Sequence, residues 1–402
     1  MSVFNNKRVV SGMRASGRLH LGHYHGVLKN WIKLQHQYDC LFFVADWHAL
    51  TTNYDNPKQL ENVIWEMVVD WLACGVNPGL SRLFIQSWIP EHAELHLLLS
   101  MITPIGWLER VPTYKDQQEK LHEKDLSTYG FLGYPLLQSA DVLMYRADYV
   151  PVGEDQVSHI ELIREVARRF NFLYGREPNF ELLAAEAIKK MGKKNSKLYY
   201  QFRTEFQQDG CHESLKTAKA LLESQHNLSI GDKERLLGFL DGSGKIILPE
   251  PQALLTEQSK MPGLDGQKMS KSYQNAISLR EDLDVVEKKI RTMPTDPARV
   301  KRNDPGDPTK CPVWQFHKVY SNDEVKSWVD NGCRSAGIGC LECKQPVIDS
   351  IKKELQPIQE SIREYDADLG SVKRIVSEGS EHAREEAIKT INEVRAAMGI
   401  DY

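Results

Sequence analysis

A chain of 402 residues is long enough for two or three domains and a sizeable core, which excludes a small disulfide-stapled scaffold. Hydrophobic residues at 41% and charged residues at 26% exclude a disordered chain, and no apolar stretch reaches the roughly 20 residues that span a bilayer. The formal charge of -4, from 51 basic against 55 acidic residues, means that any nucleic-acid partner must be met by local basic patches.

In chain order, the apolar patterning predicts a strand from Arg8 to Met13, a helix over 20–37 and a buried strand from Leu41 to Ala45. A helix over 57–74 and a third strand from Leu83 to Gln86 follow. This β-α-β-α-β succession implies an α/β domain, a doubly wound parallel sheet of Rossmann-like type. Such sheets take ligands beyond the carboxyl ends of their strands, which directs attention to the loops after Met13, Ala45 and Gln86. From 178 to 250 the texture becomes polar and mostly helical, an apparent insertion with five lysines between Lys189 and Lys197. A loop punctuated by glycine and proline, Met261 to Gly266, comes next. Then follow a basic, proline-bearing stretch around 294–312 and long charged helical patterns from 345 to 400. The expected organisation is an α/β domain at 1–177, the insertion at 178–250, a loop region returning to the first domain at 251–285, and an all-α C-terminal domain at 286–402.

Two segments carry chemistry. Ser11 to His23 (SGMRASGRLHLGH) runs from strand through a glycine-bearing loop into a helix start, whose backbone N–H groups can hold phosphate oxygens. Gly22 lets a nucleotide lie close to the backbone, and His20 and His23, one helical turn apart, can donate to a phosphoryl group. Much later, Lys268-Met269-Ser270-Lys271-Ser272 places two ammonium groups and two hydroxyls on an arm that can close over a triphosphate, neutralising charge without acting as base or nucleophile. A third segment, Asp241 to Ile246, imitates a phosphate loop, but its first glycine is off spacing and Ile246 stands where a magnesium-binding Ser or Thr is needed.

The two segments together resemble the HIGH and KMSKS signatures of class I aminoacyl-tRNA synthetases, in the same order. A closer resemblance, to the tryptophanyl-tRNA synthetases, is carried by Ala45-Asp46-Trp47-His48-Ala49-Leu50, Leu108-Glu109-Arg110, Tyr134 to Asp141 (YPLLQSAD) and Val150 to Gln156 (VPVGEDQ). It covers about 1–178 and 248–402. The resemblance implies ATP, with Mg2+, at Arg14, Ala15, Ser16, Gly22, His23, Gly153, Glu154, Asp155, Met261, Lys268, Met269, Ser270, Lys271 and Ser272, with His20, His23, Lys268 and Lys271 as the catalytic set. For tryptophan it implies Asp141 on the indole nitrogen, with Tyr134, Gln138, Val152, Gln156 and Val10 around the amino acid. Indole offers one polar atom, an N–H donor, for which a carboxylate is a natural acceptor. Many bacterial members carry an aromatic residue where Val10 stands and methionine where Gln138 stands, so a more polar pocket is expected here. The resemblance further implies tRNA(Trp) as substrate, an anticodon-binding role for the C-terminal helices and a homodimer. A small-molecule adenylyl-transferring ligase of the same nucleotide fold and a non-catalytic RNA-binding paralogue are the competing readings.

With seven cysteines and no signal peptide, the chain is expected in the cytoplasm, where thiols stay reduced. Cys40, Cys74 and Cys211 are isolated and read as packing residues. Cys311, Cys333, Cys340 and Cys343 form a C-x21-C-x6-C-x2-C array, a donor set suited to tetrahedral zinc or to a 4Fe-4S cluster. The resemblance favours the cluster, since a subset of bacterial tryptophanyl-tRNA synthetases carries one in the C-terminal domain. The neighbouring Arg291, Arg299, Lys301 and Arg302 would suit an RNA-facing surface, so tRNA contacts are expected at 189–197 and 288–310.

Overall fold

The computed structural model describes residues 7–55, 57–112, 128–153, 156–176, 179–255 and 261–402. Five strands, β1 (Arg8–Arg14), β2 (Asp39–Ala45), β3 (Ser81–Ile85), β4 (Tyr149–Val152) and β5 (Gln252–Leu255), form one sheet in the order β3-β2-β1-β4-β5. The winding direction reverses at β1, as the doubly wound expectation requires. β2 and β3 pair in parallel from Cys40 opposite Ser81 to Val44 opposite Ile85, and β1 meets β4 in parallel at Val9 opposite Tyr149. β2 is an almost unbroken apolar run because helices cover both faces of such a sheet and leave no solvent-facing side.

The chain divides into two compact units. The described part of the first comprises Gly12–Ile85 and Leu255–Ser380. Its core includes Trp31 stacked on Phe42 with ring centroids 4.2 Å apart and Trp71 edge-on to Trp31 at 5.0 Å. The helix expected over 20–37 is interrupted: Leu21–His23 and Lys29–Leu34 are α-helical, but Tyr24–Leu28 forms a π-helical turn, and the last expected residues lie outside the helix. One extra residue in the turn is invisible to side-chain periodicity over so short a run, and such bulges are frequent at functional sites. Helices Pro312–Tyr320, Asp323–Arg334 and Cys340–Ala367 and the first part of Leu369–Met398, as far as Ser380, complete this unit.

The second unit comprises Lys7–Ser11, Gln86–Leu254 and Glu381–Tyr402. Helices Glu91–Ser100, Tyr129–Leu143 and Val157–Tyr174 are followed by four more, Phe180–Lys190, Gly192–Asp209, His212–Glu223 and Ile230–Asp241. These four bury a core of their own around Ala184, Ile188, Tyr199, Ala218, Leu222 and Leu236. The false phosphate loop closes this segment: Lys245 donates through its backbone N–H to the Gly175 carbonyl, and its ammonium lies 3.4 Å from Glu234. Among the described residues, no helix is long and apolar enough to cross a membrane.

Candidate active site

In the first unit, His20 is the N-cap of the helix start. Gly22 donates its N–H to His20 Nδ1 at 3.1 Å, and His20 donates its own N–H to His23 Nδ1 at 3.2 Å. Accepting at Nδ1 fixes each ring in the tautomer that carries its proton on Nε2. Burial, with the nearby Lys271 charge, lowers His20 to about 4. Burial, then His20, Lys271 and Lys268, hold His23 well below the usual range. Both imidazoles are therefore neutral donors at physiological pH. A Cβ on Gly22 would fall 2.8 Å from the His20 ring and 3.5 Å from Met269 Cβ, so this glycine is set by a close approach.

The glycine loop is held by a residue that sequence reasoning missed. Asn275 is buried; its side-chain amide donates to Asp265 Oδ1 at 2.7 Å and the Lys268 carbonyl at 3.2 Å, and its Oδ1 accepts from the Ser270 N–H at 2.8 Å. Met261 and Met269 are buried, and the Met269 N–H donates to the Met261 carbonyl. Lys268 stays exposed. Lys271 Nζ is buried, has no hydrogen-bond partner among the described residues and lies 3.1 Å from where a Cβ on Gly17 would sit, Gly17 itself having φ +116°. Burial lowers this ammonium to about 8, although Asp70 and Glu66 pull it upward. A desolvated cation beside two neutral donors is a site for a polyanion. At the end of β1 Arg14 is exposed, and in the loop that follows Ala15 is buried and Ser16 exposed; Ser272 follows Lys271 in the short turn Lys271–Tyr273.

Asp70 and Arg280 were likewise not anticipated. Arg280 donates from Nε to Asp70 Oδ1 at 2.7 Å, from Nη1 to Asp366 Oδ2 at 2.8 Å and from Nη2 to the Glu66 carbonyl at 3.2 Å. Burial pushes Asp70 up to about 7 against the pull of Arg280. The only cue in the sequence was an aspartate within the apolar run Met67 to Leu72.

In the second unit, Asp141 is fully buried and its Oδ1 accepts from Gln86 Nε2 and from His92 Nδ1, each at 2.7 Å. With Nδ1 donating, His92 Nε2 accepts from the Tyr145 hydroxyl at 2.6 Å. Gln138 Oε1 accepts from His159 Nδ1 at 2.8 Å, and the Tyr134 and His159 rings are 6.2 Å apart. Tyr134, Val10 and Val152 are buried, Gly153 is buried at the end of β4, and Gln156 is exposed at the cap of the following helix. Glu154 and Asp155 lie outside the described residues. Gln86, His92, Tyr145 and His159 were missed; only Gln86, at the end of a predicted strand, stood in a place already singled out.

The chain matches the model for tRNA synthetases class I (W and Y) over residues 5–207 and 230–356. It belongs to this family. It is 65% identical over 396 residues to the tryptophan--tRNA ligase of Ralstonia nicotianae, covering 98% of this chain and 99% of that protein. Identity to the tryptophan--tRNA ligase of Thermotoga maritima is 43% over 395 residues, again 98% and 99% of the two chains. The fold is shared with tryptophanyl-tRNA synthetase from Campylobacter jejuni, crystallised with ADP and tryptophan, at a TM-score of 0.71 and 24% identity over 98% of this chain and 99% of that one.

In this class I synthetase the four C-terminal cysteines are half-buried. Burial and then the three other thiols push Cys343 up to about 12, so the four lie within electrostatic reach of one another. Cys333 is raised by burial and lowered by Arg299, whose Nη1 lies 3.9 Å from its Sγ; the buried Arg299 Nε has no hydrogen-bond partner among the described residues. Cys343 Sγ lies 3.4 Å from His317 Nε2. Among the described residues, no group of three or more His, Cys, Asp or Glu side chains is gathered tightly enough to hold a metal ion. Cys40 is buried in β2, and the five lysines of 189–197 are all exposed.

Proposed function

We propose that this class I synthetase ligates L-tryptophan to tRNA(Trp). The tryptophan carboxylate attacks the α-phosphorus of Mg-ATP, a P–O bond breaks, and pyrophosphate leaves tryptophanyl-adenylate. A terminal ribose hydroxyl of the tRNA then attacks the activated carbonyl and AMP departs. Neither step needs a protein nucleophile, so positioning and charge stabilisation supply the rate.

The observation that carries this reading is the buried, unpartnered Lys271 ammonium beside the two Nε2–H donors of His20 and His23. These groups would bind the triphosphate and take up the charge that builds as pyrophosphate leaves, with Lys268 as an exposed second cation. Arg14, Ala15, Ser16, Gly22, Gly153, Glu154, Asp155, Met261, Met269, Ser270 and Ser272 complete the ATP site. Asp141 is the acceptor for the indole N–H, with Tyr134, Gln138, Val152, Gln156 and Val10 around the ring, and Gln86 and His92 hold the carboxylate in place. The 65% identity to the Ralstonia nicotianae ligase supports the choice of amino acid and tRNA.

Cys311, Cys333, Cys340 and Cys343 would hold a 4Fe-4S cluster, zinc being the alternative. An all-thiol donor set fits either, and a cluster spaces its ligands more widely than one ion does. Bound there, it would cross-link helices, since amino-acid activation transfers no electrons. The protein is read as a cytoplasmic homodimer, with tRNA contacts at 189–197 and 288–310 and with the C-terminal helices at the anticodon.

Pyrophosphate exchange with each amino acid in turn, followed by charging of tRNA(Trp), tests the proposal. Exchange should depend on tryptophan; exchange driven by another amino acid, or none, overturns it. Iron and sulfide analysis of anaerobically purified protein, with its visible spectrum, decides the cluster: about four irons per chain on the four-cysteine stoichiometry supports it, and a colourless zinc protein overturns it.

A further inference from the structure

One helix of the first unit, Cys340–Ala367, holds the part of that unit that carries both signatures at three places along its length. Glu354 Oε2 lies 2.8 Å from His25 Nε2 and accepts from the Tyr320 hydroxyl at 2.8 Å, while its Oε1 accepts from Lys29 Nζ at 2.7 Å. Lys29 Nζ in turn lies 3.3 Å from His25 Nδ1, so the buried imidazole is held at both nitrogens. His25 sits in the π-helical turn Tyr24–Leu28, two residues beyond His23. Five residues further along the helix, Gln359 donates to the carbonyls of Leu279 and Glu281, at 3.0 and 2.7 Å. Asp366 then accepts from Arg280 at 2.8 Å.

Residues 277–281 lie four residues beyond the Lys268–Ser272 segment and are bonded to the backbone around the other signature. The Leu21 N–H donates to the Ile277 carbonyl at 3.0 Å, the Leu279 N–H to the Leu19 carbonyl at 3.1 Å, and the Ser278 hydroxyl to the same Leu19 carbonyl. The residues that follow each signature thus meet one helix. Burial alone would raise the Glu354 carboxyl, but His25 and Lys29 hold it down to about 2, so it is a permanent anion at the centre of the clamp.

We propose that Glu354 and Gln359 are positioning residues for the adenylation step, Glu354 acting through His25 on the His20–His23 turn and Gln359 through the 279–281 backbone on the Lys271 segment. This rests on the tryptophan-activation reading above. Neither residue reaches the reacting atoms; each fixes where the donors and the ammonium stand, and a misplacement of about 1 Å can cost ~100-fold in rate. The same helix begins at Cys340 and Cys343, and Tyr320 ends the helix capped by Cys311, so the clamp shares its two helices with the cysteine array.

The test is tryptophan-dependent pyrophosphate exchange by the full-length protein, with competent sites counted from the adenylate burst. Glu354→Ala should lower kcat per competent site by ~10- to 100-fold with KM for tryptophan unchanged. The isosteric Glu354→Gln, chosen to fold normally, should show a smaller loss of the same kind. His25→Ala combined with Glu354→Ala should be no worse than the poorer single variant. Gln359→Ala should lower kcat per site by ~10-fold. Unchanged kcat per site with fewer competent sites would mean a merely structural role, and fully additive losses would mean that Glu354 does not act through His25; either result overturns the proposal. No exchange by the unsubstituted protein overturns the function itself and this inference with it.

Discussion

The surroundings of Lys271 in the first unit and of Asp141 in the second handle buried charge in opposite ways. Lys271 is a buried ammonium without a hydrogen-bond partner among the described residues, held down to about 8 by desolvation. Asp141 is a buried carboxylate already accepting from Gln86 and His92, with Tyr145 behind the imidazole. Under the proposed function, the contrast follows from what each site would recognise. A polyanion brings its own charge, so a site that leaves a cation desolvated binds it strongly and stabilises charge that appears only as the reaction proceeds. An indole brings a single N–H, and one hydrogen bond cannot offset the burial of a bare carboxylate, so the protein supplies partners beforehand.

If that contrast is correct, removing the cation should strike the chemical step while removing the anion strikes selection. Lys271→Ala should lower exchange kcat by ~100- to 1,000-fold, the scale found when one preorganised transition-state donor is lost. Tryptophan affinity, measured by calorimetry, should barely move; near-normal exchange would end the assignment. Asp141→Asn removes a charged acceptor worth about 1.5–3 kcal/mol, so tryptophan affinity should fall ~10- to 100-fold and discrimination against tyrosine should weaken. A variant that still discriminates normally would show that the indole is read elsewhere.

A pH profile sharpens the same comparison with a smaller effect. Because burial lowers Lys271 from its ordinary 10.5 to about 8 in the free protein, it is charged below that pH and neutral above it. Accordingly kcat/KM for ATP should decline as pH rises through about 8, by up to tenfold per unit, while kcat declines only at higher pH because bound triphosphate favours the ammonium. Lys271→Arg should flatten this limb, and a persistent decline in that variant would assign it to another group. His20, held near 4, should add no limb between pH 5 and 8. The mildest effect is expected from Asn275→Ala, which leaves the Ser270 N–H without its acceptor and loosens the loop; a several-fold rise in KM for ATP with little change in tryptophan affinity is the measurable result.

How much could be read before any coordinates depends on sequence distance. β2 was legible because a strand buried on both faces is apolar at every position, and the two signature segments were legible because each is a run of neighbouring residues. The interior of the run 20–37 was not: a π-helical turn at Tyr24–Leu28 shifts side chains by one position, too little to disturb an apolar pattern over so few residues. Asn275 went unnoticed because an asparagine after a glycine loop reads as one more turn residue, and only the folded loop shows its amide bonded on both sides.

The sequence by itself determined the α/β class, the family and the order of its chemistry-bearing segments, since these depend on local pattern and residue type. Only the tertiary structure decided the state of those residues. His92 reaches Asp141 from 49 positions away and Glu354 reaches His25 from 329, and the tautomer, charge and freedom of a side chain are set by the partners and solvent it finds there. Lys271 is one lysine among many along the chain; it becomes a depressed cation because the fold buries it beside Gly17, with no hydrogen-bond partner among the described residues.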